Sequence, residues 1–481
     1  MHSAIRLHRT TLIIMGLAAF LSGLGLVRLN LQISALWVAL SLLILLALSK
    51  RKNFALALAV VAFGLLAGLW RGGEYMVLLK HYDNYYGQKV VIEGTATDDG
   101  VYGDGGQLAF DIDHMGIGSE DLVGKVGVRG FGVPAVYRGD RVRVSGKLFK
   151  TRGSRSGSIS FAQIEVISRS GSVINDVKRR FQAGMQSALP EPLASFSLGL
   201  LIGQRSTLPE SLTTVMATIG LTHVVAVSGY NLTIIVRAVR RFLHKLSKYQ
   251  STLISLALIL TFLLLTGFSP SIVRAAIVSV LSLAAWYYGR SIRPLLIILL
   301  AAALTAGFYP IYIWSDIGWY LSFLAFFGVL IIAPLIVKRL FKNKRPHALT
   351  YLVIESFSAQ LMAWPLIMYI FGEFSVIALP ANMLIVPLVP FAMLLSAVAG
   401  AAGMLAPALS GWLAWPARLL LTYMIDAMQL LAKVPHALSK QGLSLAQMLL
   451  IYAVVVGLCF VLWRKTRGKT GIITENDGIK T

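Results

Sequence analysis

Cysteine and charge are what this sequence has least of. Cys459 is the single cysteine in 481 residues, which excludes an intrachain disulfide framework and any multi-cysteine zinc or iron–sulfur site. It lies in a C-terminal apolar run, where a thiol behaves as a small buried hydrophobe. Charged residues make up 14% of the chain and hydrophobic ones 56%, with a mean hydropathy of +0.72. Soluble globular proteins carry about 25% charged residues. This chain has too little polar surface to cover its apolar side chains in water, and lipid is the solvent it fits. It has no G-x-x-x-x-G-K-S/T loop, so nucleotide binding of the P-loop kind is excluded. The eight histidines are scattered, without short-spaced metal-ligand pairs. His223 and Ser228, five residues apart on a helix, point to different faces and have no orienting acid nearby in sequence. No catalytic residue, metal or cofactor is expected.

Acidic residues are scarce as well, 21 against 44 Lys and Arg, for a net charge of +23. Such an excess fits a nucleic-acid partner or the positive-inside bias of membrane proteins. The segment from Lys80 to Ser170 holds acids and bases in near balance, so the excess sits in short loops between apolar runs.

A bilayer crossing takes about 20 apolar residues. Candidate spans are Thr11–Arg28, Leu31–Ser49, Phe54–Trp70, Leu221–Val236, Leu253–Gly267, Ile272–Tyr288, Pro294–Phe308, Ile317–Val337, Leu349–Phe371, Ser375–Leu405, Gly411–Ala432 and Ser444–Trp463. Arg6 and Arg9 place the N-terminus inside, and Lys50-Arg51-Lys52 return the chain there. The later basic clusters, Arg237–Lys248, Arg290–Arg293, Lys338–Arg345 and Arg464–Lys469, fall on the same side with about twelve crossings. Both termini are then cytoplasmic and residues 80–170 lie outside.

That outer segment changes character. Five short β-rich pieces lie between glycine clusters, starting at Lys89, Gln107, Lys125, Arg141 and Ser160, with strict alternation from Arg141 to Gly146. Five strands in so short a segment suit a small barrel such as the OB-fold, and would also fit an SH3-like barrel. The loop from Lys147 to Arg155 is basic and rich in Gly and Ser. With Arg141 and Arg143, its Lys147, Lys150, Arg152 and Arg155 offer a groove for a phosphate backbone, or only a solvated hairpin tip. Asn175–Leu189 reads as an amphipathic helix, and Leu193–Gly203 as an apolar segment too short to span, interfacial or re-entrant.

Polar groups inside spans are costly and need partners or water. His223, Ser228, Gly229 and Asn231 fall in one span, where a Ser-Gly-x-Asn cluster permits a helix break or, alternatively, close helix packing. Arg274 stands near the start of a span, placed to snorkel or to attract an anion at a helix N-terminus. Asp316, Glu355 and Asp426 are acids at or within apolar runs. The first two are candidate partners for Arg274 or for a proton path, and Asp316 also fits simple solvation at a span end. Pro380, Pro387 and Pro390 predict that their overlong span is broken or re-entrant.

Leu200-Leu-Ile-Gly-Gln-Arg-Ser-Thr-Leu-Pro-Glu, followed by Gly220-Leu-Thr-His-Val-Val-Ala-Val-Ser-Gly, resembles the ComEC competence family of DNA-internalising membrane channels. Pro270-Ser-Ile-Val-Arg-Ala-Ala, the run from Ser315 to Ala325, Gln360-Leu-Met-Ala-Trp-Pro-Leu and Pro380-Ala-Asn-Met-Leu-Ile-Val-Pro are similar to later blocks of that family, in order. Two departures stand out. Relatives commonly have Ser-Gly-Leu-His where this chain has Ser228-Gly-Tyr-Asn, so a role for that second histidine does not transfer. Many relatives also continue into a metallo-β-lactamase-like domain, whose H-x-H-x-D-H signature does not occur here.

The resemblance implies a polytopic α-helical membrane protein with an inserted extracytoplasmic small β-barrel, OB-like, and some spans broken or re-entrant. The expected organisation is a three-span anchor over 1–72, the β domain over 80–170, amphipathic and interfacial helices over 173–210, a channel domain over 211–465 and a cytoplasmic tail over 466–481. It implies a single-stranded DNA channel that is not itself an enzyme. Its partners would be the strand, the bilayer, a periplasmic or wall DNA receptor, a cytoplasmic helicase or strand-binding protein, and a separate nuclease. The path would be lined by Gln204, Arg205, His223, Ser228, Gly229, Asn231, Arg274, Asp316, Gln360 and Asn382. Two rivals use the same residues: a secondary transporter or flippase of a small or lipid-linked anion, and a non-transporting assembly platform.

Overall fold

A computed structural model describes residues 8–466 except 32, 50–53, 103–106, 119, 132–134, 152, 205–206, 226–231, 233–245, 268–269, 290–292 and 343–345. Arg152, Arg205, Ser228, Gly229, Asn231 and the tail beyond residue 466 therefore lie outside the described residues. The chain forms two compact units, one of residues 1–182, 261–274 and 299–319, the other of the remainder.

The first unit opens with helices α1 (Arg9–Leu26), α2 (Ala35–Leu48) and α3 (Phe54–Lys80). α1 and α3 approach until backbone meets backbone. A Cβ on Gly68 would run into the Phe20 carbonyl, and one on Gly64 into the Gly16 carbonyl. Lipid gives apolar helices little reason to associate, so small residues that allow such close packing supply the attraction.

Among the described residues, seven strands follow: β1 (Lys89–Ala96), β2 (Val101–Tyr102), β3 (Leu108–Ile117), β4 (Glu120–Leu122), β5 (Val126–Phe131), β6 (Arg141–Phe149) and β7 (Gly157–Ser168). All five expected strands are present, with β2 and β4 as short additions. β1 pairs antiparallel with both β6 and β3, β3 with β5 and β6 with β7, while β5 and β7 run parallel. The pairings thus lead from β1 back to β1. Alternation along β6 buries Val142, Val144 and Leu148 in a core with Ile92, Ile112, Val126 and Ile159. Burial of Leu148 also carries β6 through Lys147 to Phe149, residues expected in the loop; Gly87 N donates to Leu148 O at 2.8 Å.

β7 is irregular at two places, one of them near its end, where its register against β6 shifts between Arg141 and Val142, and the other in its middle. There its register slips against β5 between Val128 and Gly130, and against β6 between Ser145 and Lys147. Phe161 lies in that bulge with φ of 56°. A left-handed backbone costs a side-chain-bearing residue about 1–2 kcal/mol, and bulges are a means of re-aiming a side chain.

Among the described residues, seven helices are long and apolar enough to cross a membrane: Arg9–Leu29, Phe54–Asn84, Lys248–Thr266, Ile317–Phe341, Thr350–Phe371, Ala378–Leu405 and Leu445–Lys465. Four shorter apolar helices, Ala35–Leu48, Leu193–Ile202, Ser271–Tyr287 and Pro294–Phe308, accompany them. This is a multi-pass architecture, with fewer full-length spans than the twelve expected. The expected span 221–236 falls mostly outside the described residues, and helix Trp415–Ala432 carries Arg418 and Asp426. The proline-rich span is broken as its composition requires. Helix Ala378–Ile385 passes through a short 3-10 turn, Val386–Leu388, into Val389–Leu405, because Pro387 and Pro390 offer no N–H to the helical ladder.

The amphipathic helix is present as α4 (Val173–Ala188). Of the two alternatives expected for Leu193–Ile202, interfacial or re-entrant, burial speaks against the first. Ala194, Phe196, Leu198 and Leu200 are all fully buried, so it is a core helix and not one lying at an interface. A helix apolar on every face finds its place inside.

Candidate functional site

In the first unit, polar side chains gather where helix ends meet the β domain. Helix Lys248–Thr266 ends at Gly267, whose φ of +96° is left-handed. A side chain there would be strained and would also crowd the Arg138 guanidinium, 3.2 Å from an added Cβ. Arg138, from the turn before β6, donates to the Leu264 carbonyl at 3.2 Å. A cation on the last carbonyls of a helix satisfies orphan acceptors and opposes the helix dipole. Arg71 in α3 does the same for helix Pro294–Phe308, donating to Gly307 O at 2.9 Å and Phe308 O at 3.2 Å.

The next helix, Pro270–Tyr287, carries Arg274 in its second turn. Arg274 is only 4% exposed, and its Nη2 donates to Ser271 Oγ at 3.2 Å. Asp316, 9% exposed, supplies the opposing charge. Asp316 is also a helix cap, since its Oδ1 accepts the Trp319 N–H at 2.8 Å at the start of helix Ile317–Phe327. Beside it, Ser315 Oγ donates to Gly153 O at 2.6 Å, so the tip of the β6–β7 loop rests on the turn that holds Asp316. Arg274, Asp316 and the loop tip thus share one polar region. Glu355, the other candidate partner of Arg274, belongs to the second unit, and Asp426 is exposed on Trp415–Ala432.

The β domain is also tied to α4. Lys178 Nζ donates to Asp99 Oδ2 at 2.8 Å, with side chains 13% and 21% exposed. Burial alone would raise the Asp99 carboxyl, but the Lys178 ammonium, its hydrogen bond and the Arg138 N–H outweigh burial and hold it below the usual carboxylate range. Tyr137 lies between two guanidinium groups, Arg169 at 5.3 Å and Arg179 at 5.1 Å from its ring centroid. Asp140, fully buried, accepts from Arg169, from Tyr137 N at 3.0 Å and from Ser170 N at 2.9 Å.

The basic residues named in the β domain divide into two sets. Arg143 pairs with Glu93 at 2.8 Å and Glu165 at 3.0 Å, and Arg141 reaches Glu93 at 3.4 Å. Arg155 pairs with Asp111 at 2.8 Å, although burial still pushes the Asp111 carboxyl above its usual range. Lys147 and Lys150 make no ion pair among the described residues; each lies over an aromatic ring, Phe149 at 5.6 Å and Tyr86 at 5.8 Å. Composition identified these cations, but only the fold shows which are already neutralised.

In the second unit, Gly203 closes helix Leu193–Ile202 and Gln204 follows it. His223 is exposed, with Nδ1 3.1 Å from Gly220 O. A Cβ on Gly220 would meet Ser375 and Ala378, and Asn382 follows Ala378 by one helical turn. Asn382 Oδ1, Ser375 Oγ and both amide atoms of Gln360 are buried polar groups with no hydrogen-bond partner among the described residues. Polar atoms so placed suit a path that holds water or ligand groups. No group of three or more His, Cys, Asp or Glu able to hold a metal occurs among the described residues.

Multiple apolar helices, one of them broken by proline, together with an inserted β domain define a multi-pass membrane protein. The competence protein family model matches residues 200–466, more than half of the sequence, and the chain belongs to that family. It is similar to ComE operon protein 3 of Bacillus subtilis (strain 168), with 28% identity over 216 residues. That match covers 44% of this chain and 27% of the relative's length. No solved structure matches.

Proposed function

We propose that this protein conducts single-stranded DNA across the cytoplasmic membrane during natural transformation. Membership of the competence family over the membrane core, residues 200–466, carries the reading. The β domain is a small closed barrel of the OB kind on the outer side, supported by strand pairings that return to β1 and by the one parallel pair, β5 with β7. It receives the strand. The termini face the cytoplasm, consistent with the basic loops.

A strand carries a negative charge at every phosphate, and lipid solvates none of them. The path therefore needs water, cations and polar groups. Arg274 and Asp316, close to where the β6–β7 loop tip docks, supply a charged threshold. Among the described residues of the second unit, Gln204, His223, Gln360 and Asn382 are the polar groups assigned to the path. The chain acts without chemistry of its own. A receptor outside delivers DNA, a separate nuclease removes the second strand, and a cytoplasmic helicase or strand-binding protein draws the first one in.

Substituting Arg205 and Arg274 together by Gln tests the lining. Cytoplasmic entry of labelled DNA is expected to fall by about tenfold or more, the loss of one charge-assisted contact. Unchanged entry at normal protein levels would reject these residues as the path.

A further inference from the structure

The outward face of β5 and β7 carries an aromatic pair that the core does not require. Phe161 is 74% exposed and Phe131 47%, with ring centroids 6.2 Å apart and planes 30° from parallel. Phe161 occupies the bulge in β7 with a left-handed backbone. Glycine or asparagine would relieve that backbone, and any polar side chain would remove the exposed apolar surface. The position instead holds a large ring, aimed outward against a second one.

Cations rim the pair. Lys147 on β6 lies opposite Ser160, the neighbour of Phe161, and Lys89 on β1 lies opposite Lys147. Arg129 precedes Phe131 by two residues on β5 and is exposed like it. None of the three has an ion pair among the described residues, whereas Arg141 and Arg143 on the same face are matched by Glu93 and Glu165. Flat apolar rings with unmatched positive charge around them complement a ligand that has aromatic faces and anionic links. A lipid surface calls for a broader apolar face than one pair of rings.

We propose that Phe131 and Phe161 form a stacking platform for the unpaired bases of a nucleic-acid strand, with Lys89, Lys147 and Arg129 meeting its phosphates. The proposal deepens the DNA reading above and rests on it. Any base can stack on an aromatic ring, so the platform would be tolerant of sequence.

The test uses the purified full-length protein in detergent micelles. Binding is measured by fluorescence anisotropy for a single-stranded oligonucleotide, for an abasic strand of equal length and for a duplex. The wild type is expected to prefer the base-bearing strand by about tenfold or more. Phe131→Ala with Phe161→Ala should abolish that preference while leaving abasic-strand binding intact, and Phe161→Trp should keep it. Since both rings are exposed, their removal leaves the core whole. If the double variant keeps the preference, the platform is overturned and the DNA reading stands. DNA entry in cells, measured separately, decides the DNA reading itself.

Discussion

Asp316 serves two purposes that substitution can separate. Asn at this position still accepts the Trp319 N–H now bound at 2.8 Å, but no longer opposes Arg274. Asp316→Asn therefore keeps the cap but leaves the buried Arg274 guanidinium without that opposing charge, and is expected to lower stability in detergent by about 3 kcal/mol or more and to reduce DNA entry. Asp316→Ala also loses the cap and should cost about 1 kcal/mol more. Equal loss of stability in both variants would mean that the carboxylate matters to folding through its charge. The Asp99–Lys178 pair makes a pH prediction. Asp99 is held below the usual carboxylate range, so its contribution is present above its unfolded pKa of about 3.9 and is lost as pH falls toward its folded value. Asp99→Asn should lower stability at pH 7 by about 1–3 kcal/mol. The difference from wild type should shrink when melting is repeated at low pH. A difference that persists there would assign the effect to packing.

Elements show what a sequence reveals and what it conceals. The five main strands were legible because alternation and glycine boundaries are local, and the broken span because proline lacks an N–H. The bulge in β7 was not read from the sequence, and the pattern behind it is evident only once the pairing is known. The apolar residues Ile159 and Phe161 are in one phase and Ala162, Ile164 and Val166 in the other, a one-residue shift within a strand. For Leu193–Ile202 the sequence left interfacial and re-entrant placements open, because length and hydropathy do not separate a buried short helix from one at an interface; only neighbours do. The roles of Arg138, Arg71 and Lys178 depend on residues 79 to 236 positions away, and no local pattern encodes them. Glycines carry a similar hidden dependence. Gly68→Val should push α1 from α3 and destabilise by about 1–3 kcal/mol or more, whereas Gly73→Ala, with nothing within 4 Å of an added Cβ, should be neutral. Melting the two variants side by side checks the contrast, and equal melting would refute it.

For the whole molecule, the family match and the polar architecture point the same way. The match covers the membrane core from residue 200 to 466, while the β domain and first three helices lie outside it. Composition alone set the solvent, and charge distribution set the expected topology. Which polar groups end up buried without a hydrogen-bond partner among the described residues, such as Ser375, Asn382 and Gln360, depends on packing between elements that no local pattern encodes. The most direct test of DNA conduction follows fluorescent DNA in a strain lacking the gene, complemented with the full-length protein or with residues 80–170 deleted. The expected result is DNA held outside the cell in the deletion strain, with cytoplasmic signal restored only by the intact protein. Normal cytoplasmic entry without the protein would contradict the proposal.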